Sequence, residues 1–193
     1  MPSSAPRLYT IGHSTRTFDE FLAILQADKI KMLVDVRTVP RSRRVPQFNT
    51  ENLSESLPRH HIQYLHLPSL GGLRIARPDS ANTGWRNDSF RGYADYMQTA
   101  EFESGLKELI SVAKKQPTSI MCAEAVPWRC HRSLIADAML VRGWQVIDLF
   151  SETSAKPHKL TDFAKVEGTH VTYPSPQPLL FTAASASQKS TGR

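Results

Sequence analysis

The strongest constraint on the fold of this chain is an alternation of short apolar runs with helical patterns, in which three of the runs break off into polar residues. Arg7–Ile11 gives way to Gly12-His13-Ser14, Lys31–Val36 ends around Asp35 and Arg37, and Thr118–Cys122 hands over to Ala123-Glu124. Ile62–Leu67 and Trp144–Leu149 are two further runs of strand length. Between them, Thr17 and Glu20 fit a capping box ahead of Phe18, Phe21, Leu22 and Leu25, which share one helical face. Helices are also expected near Asn49–Leu57, Ser89–Met97, Glu101–Lys114 and Cys130–Val141, the last ended by Gly143. Strands alternating with helices predict an α/β fold, a three-layer sandwich around a mainly parallel sheet of about five strands. Ligands of such sheets sit beyond the carboxyl ends of the strands. Three endings of this kind at one edge predict a site there.

The chain has 193 residues, enough for one domain with a sizeable core. Residues 1–6 read as a flexible N-terminus and 7–172 as the domain. Residues 173–193, rich in Pro, Ser and Ala, read as a disordered tail. The stretch from Pro68 to about Asp88 is too long for an ordinary connection and is expected to be a lid or an unstructured loop. No apolar run approaches the roughly 20 residues of a bilayer span, and Met1–Arg7 lacks the apolar core of a secretory signal. With only two cysteines, the expected home is the reducing cytoplasm. Net charge is +6, and the arginines cluster at Arg37, Arg41, Arg43 and Arg44 and again at Arg74, Arg77, Arg86 and Arg91. Such clusters suit a nucleic acid or phosphate ligand, and equally a solvated surface.

The richest segment runs from Cys122 through Glu124, Trp128, Arg129, Cys130 and His131 to Arg132, joining a buried strand to a helix start. Free N–H groups at a helix N-terminus favour an anion and would lower the pKa of a thiol. A cysteine phosphatase or sulfurtransferase loop built on Cys122 fits poorly. Six residues separate Cys122 from Arg129 where that pattern wants five, Met121 precedes the cysteine where His is wanted, and Glu124 would repel phosphate. Cys122-Ala-Glu124 mimics half of a zinc deaminase signature, but no Pro-Cys-x-x-Cys follows. A structural zinc site from Cys122, Cys130 and His131, with or without His13, lacks paired Cys-x-x-Cys spacing. No metal ligand set or cofactor is therefore assigned from sequence. His13 and Ser14 either address an anion or satisfy a turn, and Asp35 is either a base or the partner of Arg37.

Five motifs occur in order: Tyr9-Thr-Ile-Gly-His13-Ser14, Asp35-Val-Arg37 followed by Pro40 and Ser42, Leu70-Gly-Gly72, Phe90-Arg-Gly-Tyr93-Ala, and Cys122-Ala-Glu124 with Cys130-His131-Arg132. Together they resemble the bacterial and archaeal family known as domain of unknown function 488, over roughly Leu8 to Val171. The resemblance implies a small Rossmann-like protein and implies no activity. Its recurrent positions map onto His13, Ser14, Asp35, Arg37, Gly71, Gly72, Tyr93, Cys122, Glu124, Cys130, His131 and Arg132. Arg74–Asn87 looks longer and more polar than the family core requires.

The leading functional expectation is an enzyme acting on a phosphate-bearing substrate, a nucleotide or nucleic acid. Glu124 would be the acid–base, supported by Asp35 and His13, with Cys122 as the alternative actor. Arg37, Arg132 and the helix start at Cys130 and His131 would hold the anion, and Ser14, Gly71, Gly72 and Tyr93 would line the site. The alternatives are a non-catalytic nucleic-acid or nucleotide-binding module and a zinc-dependent hydrolase or deaminase.

Overall fold

A computed structural model describes residues 5–175. The first strand, β1 (Arg7–Gly12), is followed by α1 (Phe18–Ala27), β2 (Met32–Asp35), α2 (Thr50–Ser56) and β3 (Gln63–His66). Helices α3 (Asp88–Tyr96) and α4 (Ala100–Ala113) then lead to β4 (Thr118–Cys122), α5 (Arg132–Leu140) and β5 (Gln145–Ser151). Three short strands close the described chain: β6 (Ser154–Pro157), β7 (Lys165–Glu167) and β8 (His170–Thr172). The five expected strands and five expected helices form, each within two residues of its sequence position. Among the described residues, no helix is long and apolar enough to cross a membrane.

The sheet has six strands rather than five, in the order β3-β2-β4-β1-β5-β6. Every neighbouring pair is parallel except β5 with β6. The missed strand, Ser154-Ala-Lys-Pro157, is an edge strand with mostly exposed residues, so no apolar alternation marks it. Strands β7 and β8 form a separate hairpin.

Side chains alternate across the sheet and create two cores. Leu8, Val34, Ile120, Cys122 and Val146 pack with residues of α3, α4 and α5. Ile11, Leu33, Met121 and Leu149 pack with α1 and α2 on the other face. Phe102, Leu106, Leu109 and Ala113 form the buried stripe of α4, each large side chain contributing about 2 kcal/mol. The Thr17 capping box at α1 is formed as expected, worth about 1 kcal/mol. Central β4 departs to the α5 face while its neighbours β1 and β2 depart to the α1/α2 face. This reversal puts the end of β4 at a topological switch point.

The expected long loop is present and ordered by one buried carboxylate. Asp95 of α3 accepts hydrogen bonds from the Arg77 amide, the Ser80 hydroxyl and the Asn82 amide group. The expected tail, 173–193, opens on a core residue. Tyr173 is buried, its amide donates to Asn82 Oδ1, and its hydroxyl donates to Asp137. Residues 1–4 and 176–193, where the rest of the flexible N-terminus and disordered tail was expected, lie outside the described residues.

A second buried network ties the C-terminal half together. His158 lies 2.8 Å from Asp148 and 3.2 Å from Asp137. Thr10 donates to Asp148, while Thr161 and Tyr173 donate to Asp137.

Candidate functional site

The β1 and β2 endings turn inward. Asp35 is completely buried and accepts from the Arg37 amide and Nε at one oxygen, and from Arg37 Nη2 and the Tyr64 hydroxyl at the other. Arg37 also donates to the Phe48 carbonyl and to Nε2 of His13. The His13 ring stacks on Phe48 with centroids 4.4 Å apart, and its Nδ1 donates to the Ser14 carbonyl. Burial lowers its pKa, and Arg37 lowers it further. With both ring nitrogens engaged, His13 is a neutral structural imidazole. Of the two sequence readings, Asp35 is therefore the partner of Arg37 and not a free base. One side chain joins β1, β2 and the approach to α2.

The loop after β4 folds tightly over the end of β1. Cys122 and Ala123 carbonyls accept from the His13 and Ser14 amides, and Ser14 adopts a positive φ of 51°. A Cβ on Gly12 would stand 1.7 Å from the Glu124 carbonyl oxygen, so only glycine fits there. Arg132 is 1% exposed and clamps this loop, donating from Nη1 to Glu124 O and from Nη2 to Ala125 O. Arg37 spends its donors on Asp35, Phe48 and His13, and both terminal nitrogens of Arg132 are taken by the loop carbonyls, leaving the buried Arg132 Nε as the one unpartnered nitrogen of the two side chains. At the start of α5 the Ser133 and Leu134 amides donate to the Cys130 and His131 carbonyls.

What converges here is a trio. Cys122 Sγ, Cys130 Sγ and a ring nitrogen of His131 all lie within 4.8 Å of one another. His131 Nδ1 is 3.8 Å from Cys122 Sγ and 3.7 Å from Cys130 Sγ. Its Nε2 donates to the Val36 carbonyl at 2.9 Å, fixing the ring and turning Nδ1 toward the sulfurs. Tyr93 packs against the same ring at 4.9 Å while its hydroxyl donates to Leu70 O. A Cβ on Gly72 would come within 3.0 Å of Nδ1, and one on Gly71 would meet Thr38 Oγ1 at 2.6 Å. Gly72 and Tyr93 thus seat the imidazole, while Gly71 packs against Thr38 and the Pro68 carbonyl. Both cysteines are buried and unpaired by disulfide. The Cys130 hydrogen bond pulls the Cys122 thiol pKa well down, with His131 and Arg132 adding to it. Burial and the neighbouring Cys122 push Cys130 up.

Glu124 differs from all of these. Its side chain is exposed and has no hydrogen-bond or ion-pair partner among the described residues. It lines an open cavity of about 400 Å³ together with Trp85, Asn87, Phe90, Trp128 and Arg129. Sequence reasoning did not name Trp85, and named Trp128 only as part of the Cys122–Arg132 segment, without a role. The available signal was an aromatic residue beside an arginine, Trp128-Arg129, immediately ahead of Cys130. Of the arginine clusters, Arg41, Arg77 and Arg91 pair with Glu51, Asp79 and Asp88, and Arg74 stacks 3.6 Å over the Tyr96 ring. Arg43 and Arg44 are exposed and form no ion pair among the described residues.

No curated protein and no solved structure matches the chain. A family model described as domain of unknown function DUF488 matches residues 17–139, and its span holds the β2 ending, the loop ordered by Asp95 and the whole Cys122–Cys130–His131 trio. The chain belongs to that family.

Proposed function

We propose that the protein is a zinc-class metalloenzyme whose centre is Cys122, Cys130 and His131, acting hydrolytically at the carboxyl edge of the sheet. The observation that carries the reading is the trio's geometry. Zinc held tetrahedrally, with Zn–S of about 2.3 Å and Zn–N of about 2.0–2.1 Å, sets its S···N ligand edges at about 3.6 Å. The two S···N distances, 3.8 and 3.7 Å, need little adjustment to reach that value. The Val36 carbonyl on His131 Nε2 is the outer partner that metal-bound histidines require. Arg132 beside the sulfurs favours their ionised form.

Three protein ligands leave a fourth position for water, whose pKa a zinc ion lowers toward 7. Glu124, with no partner of its own, would take a proton from the attacking water and return it to the leaving group. Holding a phosphate-bearing substrate passes from Arg37 and Arg132 to Arg129, which forms no ion pair among the described residues. A binding module for nucleic acid is a second reading, favoured by the unpaired Arg43 and Arg44. It predicts salt-sensitive affinity that Glu124→Gln leaves unchanged.

The test is reconstitution with zinc or cobalt(II) followed by metal analysis and absorption spectroscopy. Stoichiometric metal and a thiolate-to-cobalt charge-transfer band are expected for wild type and Glu124→Gln. Both should vanish in Cys122→Ser and Cys130→Ser. Wild-type protein that stays metal-free, or Cys130→Ser that binds as well as wild type, would remove the centre.

A further inference from the structure

We infer that the cavity lined by Trp85, Glu124, Trp128 and Arg129 is a binding site for a nucleoside phosphate, with the base between aromatic walls and the phosphate on Arg129. The cavity shares its chain with the ligands: Glu124 lies two residues beyond Cys122, and Trp128-Arg129 immediately precedes Cys130. One wall is fixed. Trp85 packs against Phe90 at 4.7 Å, Phe163 at 4.9 Å and Tyr173 at 5.5 Å. Its indole Nε1–H is buried without an acceptor, so the ring is held by packing alone. Trp128 is the opposite case, 65% exposed with Phe150 as its nearest ring at 6.2 Å. Glu124 and Arg129 carry opposite charges on this cavity yet form no ion pair with each other or with any described residue.

The complement to these groups is a planar ring bearing both donors and acceptors, joined to an anion. Aromatic faces stack on any base, a carboxylate accepts from a ring or exocyclic N–H, and a guanidinium binds phosphate. A cavity of about 400 Å³ falls within the usual size of small-molecule sites. Glu124 at the base end and Arg129 at the phosphate end keep like charges apart. The inference names the substrate class of the centre proposed above and rests on it for reaction, not for binding.

The experiment is a titration of the four nucleoside 5′-monophosphates, the matching nucleosides and a 5′-phosphorylated oligonucleotide. Tryptophan fluorescence and calorimetry would follow it, on zinc-reconstituted and zinc-free protein. Saturable quenching by a nucleotide or by the oligonucleotide is expected, the tighter of the two identifying the source of the ligand. Trp128→Ala should weaken binding about tenfold with zinc content unchanged, and Trp128→Phe should restore most of it. Arg129→Ala should reduce nucleotide affinity to that of the nucleoside. Binding by a protein that holds no zinc would retain this inference and remove only the metal centre. Folded wild type that binds none of these ligands, or equal affinity in Trp128→Ala, would overturn it.

Discussion

The imidazole of His158 sits between two carboxylates, with Nδ1 toward Asp148 and Nε2 toward Asp137, so both ring nitrogens donate and the ring is a buried cation. Burial alone would lower its pKa. The hydrogen bonds and charges of Asp137 and Asp148 outweigh that and push it up to about 9. A raised folded-state pKa contributes stability that is full below the unfolded value of 6.5 and fades as pH rises through about 9. His158 should therefore contribute a loss of up to about 3 kcal/mol between pH 6.5 and pH 9.5. In His158→Gln that slope should flatten, at the cost of lower stability at neutral pH. Urea melts across this range would check it, and an unchanged slope in the variant would refute the buried cation. None of this was legible in the sequence, where His158 has no recognisable partner. Asp137 and Asp148 lie on α5 and β5, and only the closed fold brings them together. Asp35 and Arg37, by contrast, were legible as a pair because they stand two residues apart. What the sequence could not reveal were the Phe48 carbonyl and Tyr64 hydroxyl that complete their bonding.

At the scale of elements, Asp95 shows how α3 controls the loop before it. Both carboxylate oxygens are spent on residues 77–82, so the loop is held by a helix formed after it in sequence. Asp95→Ala should leave three donors without their acceptor and destabilise by about 1–3 kcal/mol. It should also speed proteolysis within residues 74–87 several-fold under native conditions. Equal cleavage rates for the two proteins would show that the loop is ordered by other contacts. The five strands and five helices first expected were readable because each carries a buried stripe or a cap. Edge strand β6 and the β7–β8 hairpin were not, because their side chains are largely exposed and their pairing depends on neighbours. The trio was half readable: its residues were named together, but the nine-residue reach from Cys122 to His131 matches no familiar ligand spacing.

Across the whole molecule, the proposed zinc would join β4 through Cys122 to the approach of α5 through Cys130 and His131, with His131 anchored on the residue after β2. A ligand bound only by the folded state stabilises it by mass action, by about 4 kcal/mol at a thousandfold excess over Kd. Chelated wild type should accordingly melt several degrees lower and recover on adding zinc. Cys130→Ser should melt at the same temperature with or without it. A zinc-insensitive wild type would mean the trio does not hold the metal tightly.

The strand order also bears on how the chain reaches this state. β1 is made first, yet both of its partners come from far along the chain: Tyr9 pairs with Ser119 and Thr10 with Asp148. β2 and β3, by comparison, meet across a short stretch, Met32 against Gln63. During synthesis the first strand therefore leaves the ribosome with neither neighbour yet made. Its enclosure waits for β4 and β5, and the slow, non-local step of folding falls on the strand that ends at the candidate site.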